Sequence, residues 1–126
     1  MRGKRAVGVA AAGAAALTAL LAVARAQDPA VANAKTIQVR LDNDRVRVLE
    51  ATLPPGAKEQ IHSHPAYVVY VIAGGKIRNH LVDGKTSESE LKTGEVLYRD
   101  PLTHWAENIG DTPAKFILVE LKDPKR

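Results

Sequence analysis

Along most of the chain, apolar and polar positions alternate in short runs, and each run ends at a cluster of turn-forming residues. The runs cover residues 36–41, 45–53, 61–64, 67–73, 76–82, 85–91, 95–98, 104–109 and 114–121. These are strand lengths, most of the runs are rich in β-branched or aromatic residues, and none sustains a 3.6-residue period. The punctuation is Asp42-Asn43-Asp44, Pro54-Pro55-Gly56, Gly74-Gly75, Asp83-Gly84, Thr93-Gly94 and Gly110-Asp111-Thr112-Pro113. Asp83-Gly84 predicts a two-residue type I′ hairpin, in which both central residues take positive φ. Many short strands at regular spacing predict an all-β domain over residues 35–126, closed as a sandwich, barrel or jelly roll. Residues 27–34 read as a flexible lead-in, and no exposed apolar stripe suggests a docking face.

The first 26 residues follow a different pattern. A basic start (Arg2, Lys4, Arg5) precedes an Ala/Gly/Leu stretch over residues 6–24, and Ala24-Arg25-Ala26 forms a small-x-small site. This predicts a secretory signal peptide cleaved after Ala26, and hence a secreted or periplasmic mature protein with no membrane association. The stretch is also just long enough to span a bilayer, which leaves an uncleaved anchor as the alternative.

Composition narrows the chemistry. The chain has 126 residues, 45% hydrophobic and 25% charged, the balance of one globular domain. It has no cysteine, so disulfides, thiolate metal sites and a cysteine nucleophile are excluded. The net charge is +4, but residues 1–26 hold four basic groups and no acid, which leaves 14 basic against 14 acidic groups in the remainder. A neutral body with interspersed charges gives no basis for nucleic-acid binding. A metal, if bound, must take nitrogen and oxygen ligands.

Two segments carry such ligands. In Gly56-Ala-Lys-Glu-Gln-Ile-His62-Ser-His64-Pro65 the histidines at i and i+2 on a strand share one face and can chelate one ion. In the segment running from Gly94 through Pro101 to Asn108, His104, Ala106 and Asn108 share one face. A hairpin separates the segments, so a closed barrel can bring His104 opposite His62 and His64. Three imidazoles with positions left open for water or substrate are the arrangement of a catalytic metal site rather than a closed structural one.

These two segments resemble the paired motifs of the cupin superfamily. Gly56, His62, His64 and Gly75 match the first motif in spacing, and Gly94, Pro101, His104 and Asn108 are recognisable in the second, whose middle glycine is absent. The resemblance spans about residues 45–121 and implies a cupin-type double-stranded β-helix and a homodimer. The first motif's glutamate, the usual fourth ligand, would fall at Val68 or Val69, both apolar. The resemblance is therefore to the three-histidine subset that includes non-haem dioxygenases. It implies one divalent metal on His62, His64 and His104, with iron(II) favoured and zinc, nickel or manganese as alternatives. The partner implied is a small-molecule substrate that chelates the ion. A Lewis-acid isomerase or lyase and a non-catalytic ligand-binding barrel are the alternatives.

Other residues are candidates through their position. Gln60 can share the face of His62 and contact the ion or substrate. Tyr67 and Tyr98 are candidate catalytic phenols, and Tyr70 could also reach the cavity. Arg78, if it faces inward, can clamp a carboxylate, and Asn108 is a candidate substrate contact. His80 reads as a surface residue, and Trp105 as packing outside the barrel or at a dimer interface. Glu107 and Glu120 form no paired-carboxylate pattern, no phosphate loop is present, and no serine sits in a nucleophile-elbow context.

Overall fold

The structure is a computed structural model and describes residues 27–123. The expected signal segment lies outside them. Among the described residues no helix is long and apolar enough to cross a membrane.

Among the described residues nine strands follow one short helix: α1 (Pro29–Ala32), β1 (Ile37–Asp42), β2 (Val46–Leu53), β3 (His62–His64), β4 (Tyr67–Ala73), β5 (Gly75–Leu81), β6 (Thr86–Leu91), β7 (Val96–Arg99), β8 (Leu102–Asn108) and β9 (Ala114–Leu121). They form two antiparallel sheets, ordered β1-β2-β9-β4-β7 and β3-β8-β5-β6. Alternation decides what faces the interior. From the larger sheet come Leu49, Ala51 and Leu53, Tyr67, Val69 and Val71, and Phe116 and Leu118. From the smaller sheet come the three histidines, Ile77, Ala106 and Asn108. One wall is thus apolar, while the other carries most of the polar chemistry.

Three expectations change. First, residues 27–34 are built into the fold. Asp28 caps α1 by accepting from the Ala30 N–H, and Arg47 grips both of its carboxylate oxygens at 2.7 and 2.9 Å. Burial opposes ionisation of Asp28, but the Arg47 hydrogen bonds and charge outweigh it and hold the carboxyl below its usual range. Second, the β5–β6 turn is not type I′: among the described residues no non-glycine has positive φ. The Gly84 N–H donates to the Leu81 carbonyl and Leu81 pairs with Lys85, so the loop has three residues with Gly84 (φ 87°) in the left-handed position. Third, an apolar outer face exists. Val68 lies beside Tyr98 and Val119, and Tyr70 beside Val96 and Ile117, across the outside of β7, β4 and β9.

Candidate metal centre

β3 and β8 pair so that His62 stands directly opposite His104. His64, two residues along β3, shares their face, and all three side chains are buried. Their candidate ligand nitrogens lie within 4.8 Å of one another. The Nε2 atoms of His62 and His64 are 3.0 Å apart, and His104 Nε2 is buried without a hydrogen-bond partner.

The opposite ring edges explain the arrangement. His62 Nδ1 lies 2.8 Å from the Gln60 carbonyl, an acceptor only, and 3.1 Å from the Asn33 side-chain amide; the amide also donates to that carbonyl, so the shorter contact places the proton on Nδ1. His64 Nδ1 donates to Glu120 Oε2 at 2.7 Å, and His104 Nδ1 donates to Asn79 Oδ1 at 3.2 Å. Each Nδ1 is thus occupied, and three Nε2 lone pairs converge. Two acceptors at 3.0 Å cannot hydrogen-bond each other, whereas nitrogens on one ion at about 2.1 Å lie roughly 3.0–3.4 Å apart. The His62–His64 pair has that spacing and His104 completes a three-nitrogen donor set within 4.8 Å, a set that could hold a divalent cation; its outer partners are those that orient metal-binding imidazoles. Burial, with the neighbouring imidazoles adding to it, depresses His62 to about 4 and His104 to about 3, so both are neutral at ordinary pH, the form in which an imidazole can ligate.

A carboxylate does reach this cavity, from a position the motif does not predict. Glu59, three residues before His62, has a side chain only 6% exposed and places Oε1 4.0 Å from His62 Nε2. It is strapped to β8: its N–H donates to the Ala106 carbonyl, and its Oε1 accepts the Ala106 N–H at 2.9 Å. Burial, only partly offset by that hydrogen bond, raises it to about 7. Val69, one of the positions expected for the glutamate, is merely part of the apolar wall.

The cavity encloses about 70 Å³, lined at its polar end by the histidines, Glu59, Tyr67, Asn79 and Arg99. Tyr67 stacks on His64 with ring centroids 4.5 Å apart, and burial outweighs the charge of Arg99 to push its phenol up to about 12. The remaining candidates lie elsewhere. Tyr98 is 61% exposed on the outer face, since Leu97 and Arg99 take the inward positions of β7. Arg78 points outward and holds Glu88 at 2.7 Å. The Gln60 side chain is exposed, and only its backbone serves His62. Asn108 is fully buried but spans Leu53, Gly110 and Thr112, closing the loop after β8. Trp105 stacks on His80 at 3.5 Å on the outside of the smaller sheet, as its expected position outside the barrel implies.

The cupin-domain family model matches residues 49–120. The chain belongs to the cupin family. A solved cupin domain from Bordetella pertussis Tohama I is 31% identical, with 69% of this chain and 92% of that one covered at a TM-score of 0.64. An uncharacterised double-stranded β-helix protein from Klebsiella pneumoniae is 26% identical over 70% of this chain and 77% of its own, at 0.55. A cupin from Methanocaldococcus jannaschii, 19% identical over 70% and 80% at 0.56, shows the fold alone. No curated protein matches the sequence. The double-stranded β-helix expected for a cupin is the fold observed, and this cupin carries a three-histidine group that could hold a metal ion.

Proposed function

We propose that this cupin holds one divalent metal ion on the Nε2 atoms of His62, His64 and His104 and acts on a small molecule that chelates it, in a reaction of the non-haem dioxygenase type. The observation that carries the proposal is the proton pattern of the imidazoles: the nearest polar neighbour of each Nδ1 is an oxygen acceptor, which leaves the three buried Nε2 lone pairs aimed at one another. Iron(II) in that position supplies oxygen activation, whereas zinc, nickel or manganese supplies Lewis acidity. Gln60, Glu120 and Asn79 fix the ring orientations. Tyr67, protonated at neutral pH, donates a hydrogen bond to a bound anion, and the apolar wall of the larger sheet keeps bulk water out. Glu59 favours a second reading, a redox-neutral isomerase or lyase, because a carboxyl near 7 can take and return a proton within the cavity. The reading extends to a secreted or periplasmic protein, supported by the leader pattern, and to a homodimer, supported by the apolar outer rows of β4, β7 and β9.

The test is the metal content of residues 27–126, purified without a metal-binding tag, alongside a His62→Ala/His104→Ala control. Near-stoichiometric metal that the control lacks is the expected result. Iron would select the oxygenase and zinc or nickel the Lewis-acid enzyme. No retention above the control, even after reconstitution, would overturn the proposal and leave a ligand-binding barrel.

A further inference from the structure

Arg99 has the setting of a ligand contact. It ends β7, directly opposite Tyr67 in the β4–β7 register, and the two side chains line the same cavity. It is half-buried, yet no ion pair among the described residues includes it. Arg40, Arg47 and Arg78 each hold a carboxylate at 2.7 Å. The two carboxylates nearest the imidazoles are engaged elsewhere: Glu59 with the Ala106 N–H, and Glu120 with His64. A half-buried guanidinium without an anion is a costly arrangement, and its planar fork matches a carboxylate bidentately. Its charge acts on both the Tyr67 phenol and the His104 imidazole, so the field reaches the proposed metal centre.

Size and lining restrict the anion further. One water needs about 10–15 Å³, so 70 Å³ admits roughly five to seven non-hydrogen atoms beside the imidazoles. Beyond the polar end, the walls are Leu53, Val69, Ile77, Leu97, Phe116 and Leu118, which favour a short hydrocarbon tail over a second charge.

We infer that the cavity takes a short carboxylic acid of about two to four carbons with an oxygen on its second carbon, the carboxylate held by Arg99 and the second oxygen turned toward His62, His64 and His104. The orientation of that second oxygen rests on the proposed metal centre; the carboxylate contact with Arg99 does not. Arg99 is thereby the specificity determinant between an acid and its neutral analogue.

The test titrates residues 27–126, zinc-loaded and metal-free, with glycolate, pyruvate and 2-oxobutyrate, and with pyruvamide as the uncharged mimic. Binding is read by calorimetry and ligand-observed NMR. At least one acid should bind at least tenfold more tightly than pyruvamide. Arg99→Gln should lose at least tenfold for that acid and leave pyruvamide unchanged, with Arg99→Lys intermediate. The acid-to-amide contrast in the unaltered chain keeps the inference testable even if a variant misfolds. Zinc retained with no acid bound, or with the same acid affinity in folded Arg99→Gln, overturns the inference and leaves the metal centre standing. Zinc not retained, with Arg99-dependent acid binding to the metal-free chain, overturns the metal centre and upholds the carboxylate contact. Neither zinc nor acid bound overturns both.

Discussion

Glu120 offers the sharpest test of how the imidazoles are held. Its carboxylate is 3% exposed and accepts the His64 Nδ1 proton at 2.7 Å, so water cannot replace it. A charge-assisted hydrogen bond contributes about 1.5–3 kcal/mol, against about 0.5–1.5 for a neutral one. In Glu120→Gln an amide oxygen can still accept that proton, so only the charge contribution is lost, about 1.4 kcal/mol, or roughly tenfold in metal affinity. In Glu120→Ala the whole bond goes and the ring is free to turn, so the loss rises toward about 100-fold, the upper end for such partners. Arg47 lies 3.7 Å from Glu120 but is anchored on Asp28 at 2.7 Å, so the change stays local. The assay is zinc competition against a chromophoric chelator, with circular dichroism confirming the fold. If both folded variants keep zinc within about twofold of the parent affinity, His64 is not oriented by Glu120 and the proton pattern is wrong.

Two further predictions follow from buried polar groups. For the metal-free chain, stability should peak near pH 6.5. Below that value the unfolded histidines take up protons that His62 and His104, near 4 and 3, refuse, which costs about 1.4 kcal/mol per pH unit for each. Glu59, raised to about 7, opposes one of them, because between about 7 and 4.5 the folded state binds its proton more tightly than the unfolded state. Over pH 5–6.5 the net fall should be about 1.4 kcal/mol per unit and should double in Glu59→Gln; urea midpoints showing no change of slope would refute the assignment. Asn108→Ala should cost about 2–4 kcal/mol in urea unfolding, since three hydrogen bonds at 2.8–2.9 Å are lost in a fully buried site, while zinc affinity stays unchanged. A loss of zinc affinity without loss of stability would restore Asn108 to the binding site.

The strands were legible because turn residues punctuate them, and the histidines because their spacing on a strand needs no tertiary knowledge. What failed was facing. Val96, Leu97, Tyr98 and Arg99 show no clean alternation, so nothing local says that Arg99 rather than Tyr98 points inward. Glu120 was within reach: Ala114, Phe116 and Leu118 mark the inner face of β9, and the same period continues to position 120. Glu59 precedes β3, where strand alternation gives no guide, and its side chain is held by β8 across 47 positions. Asn33 was beyond reading. It lies in what seemed a loose lead-in, yet it brackets Gln60, accepting its N–H at 2.7 Å and donating to its carbonyl at 3.2 Å.

β3 has three residues and sits at the edge of its sheet; among the described residues its one strand partner is β8, and the Ser63 N–H on its other edge donates to the Gln27 carbonyl. It nevertheless supplies two of the three imidazoles. Side chains alternate, so a slip of one residue would turn His62 and His64 to solvent and Ser63 inward. An ion bridging His62, His64 and His104 would therefore act as a clasp on the register of the shortest strand. Its release requires that this strand peel from β8 and from Gln27 on its other edge, with the barrel otherwise intact. The rate of ion exchange and the rate of hydrogen–deuterium exchange at the β3 amides are then set by one and the same opening.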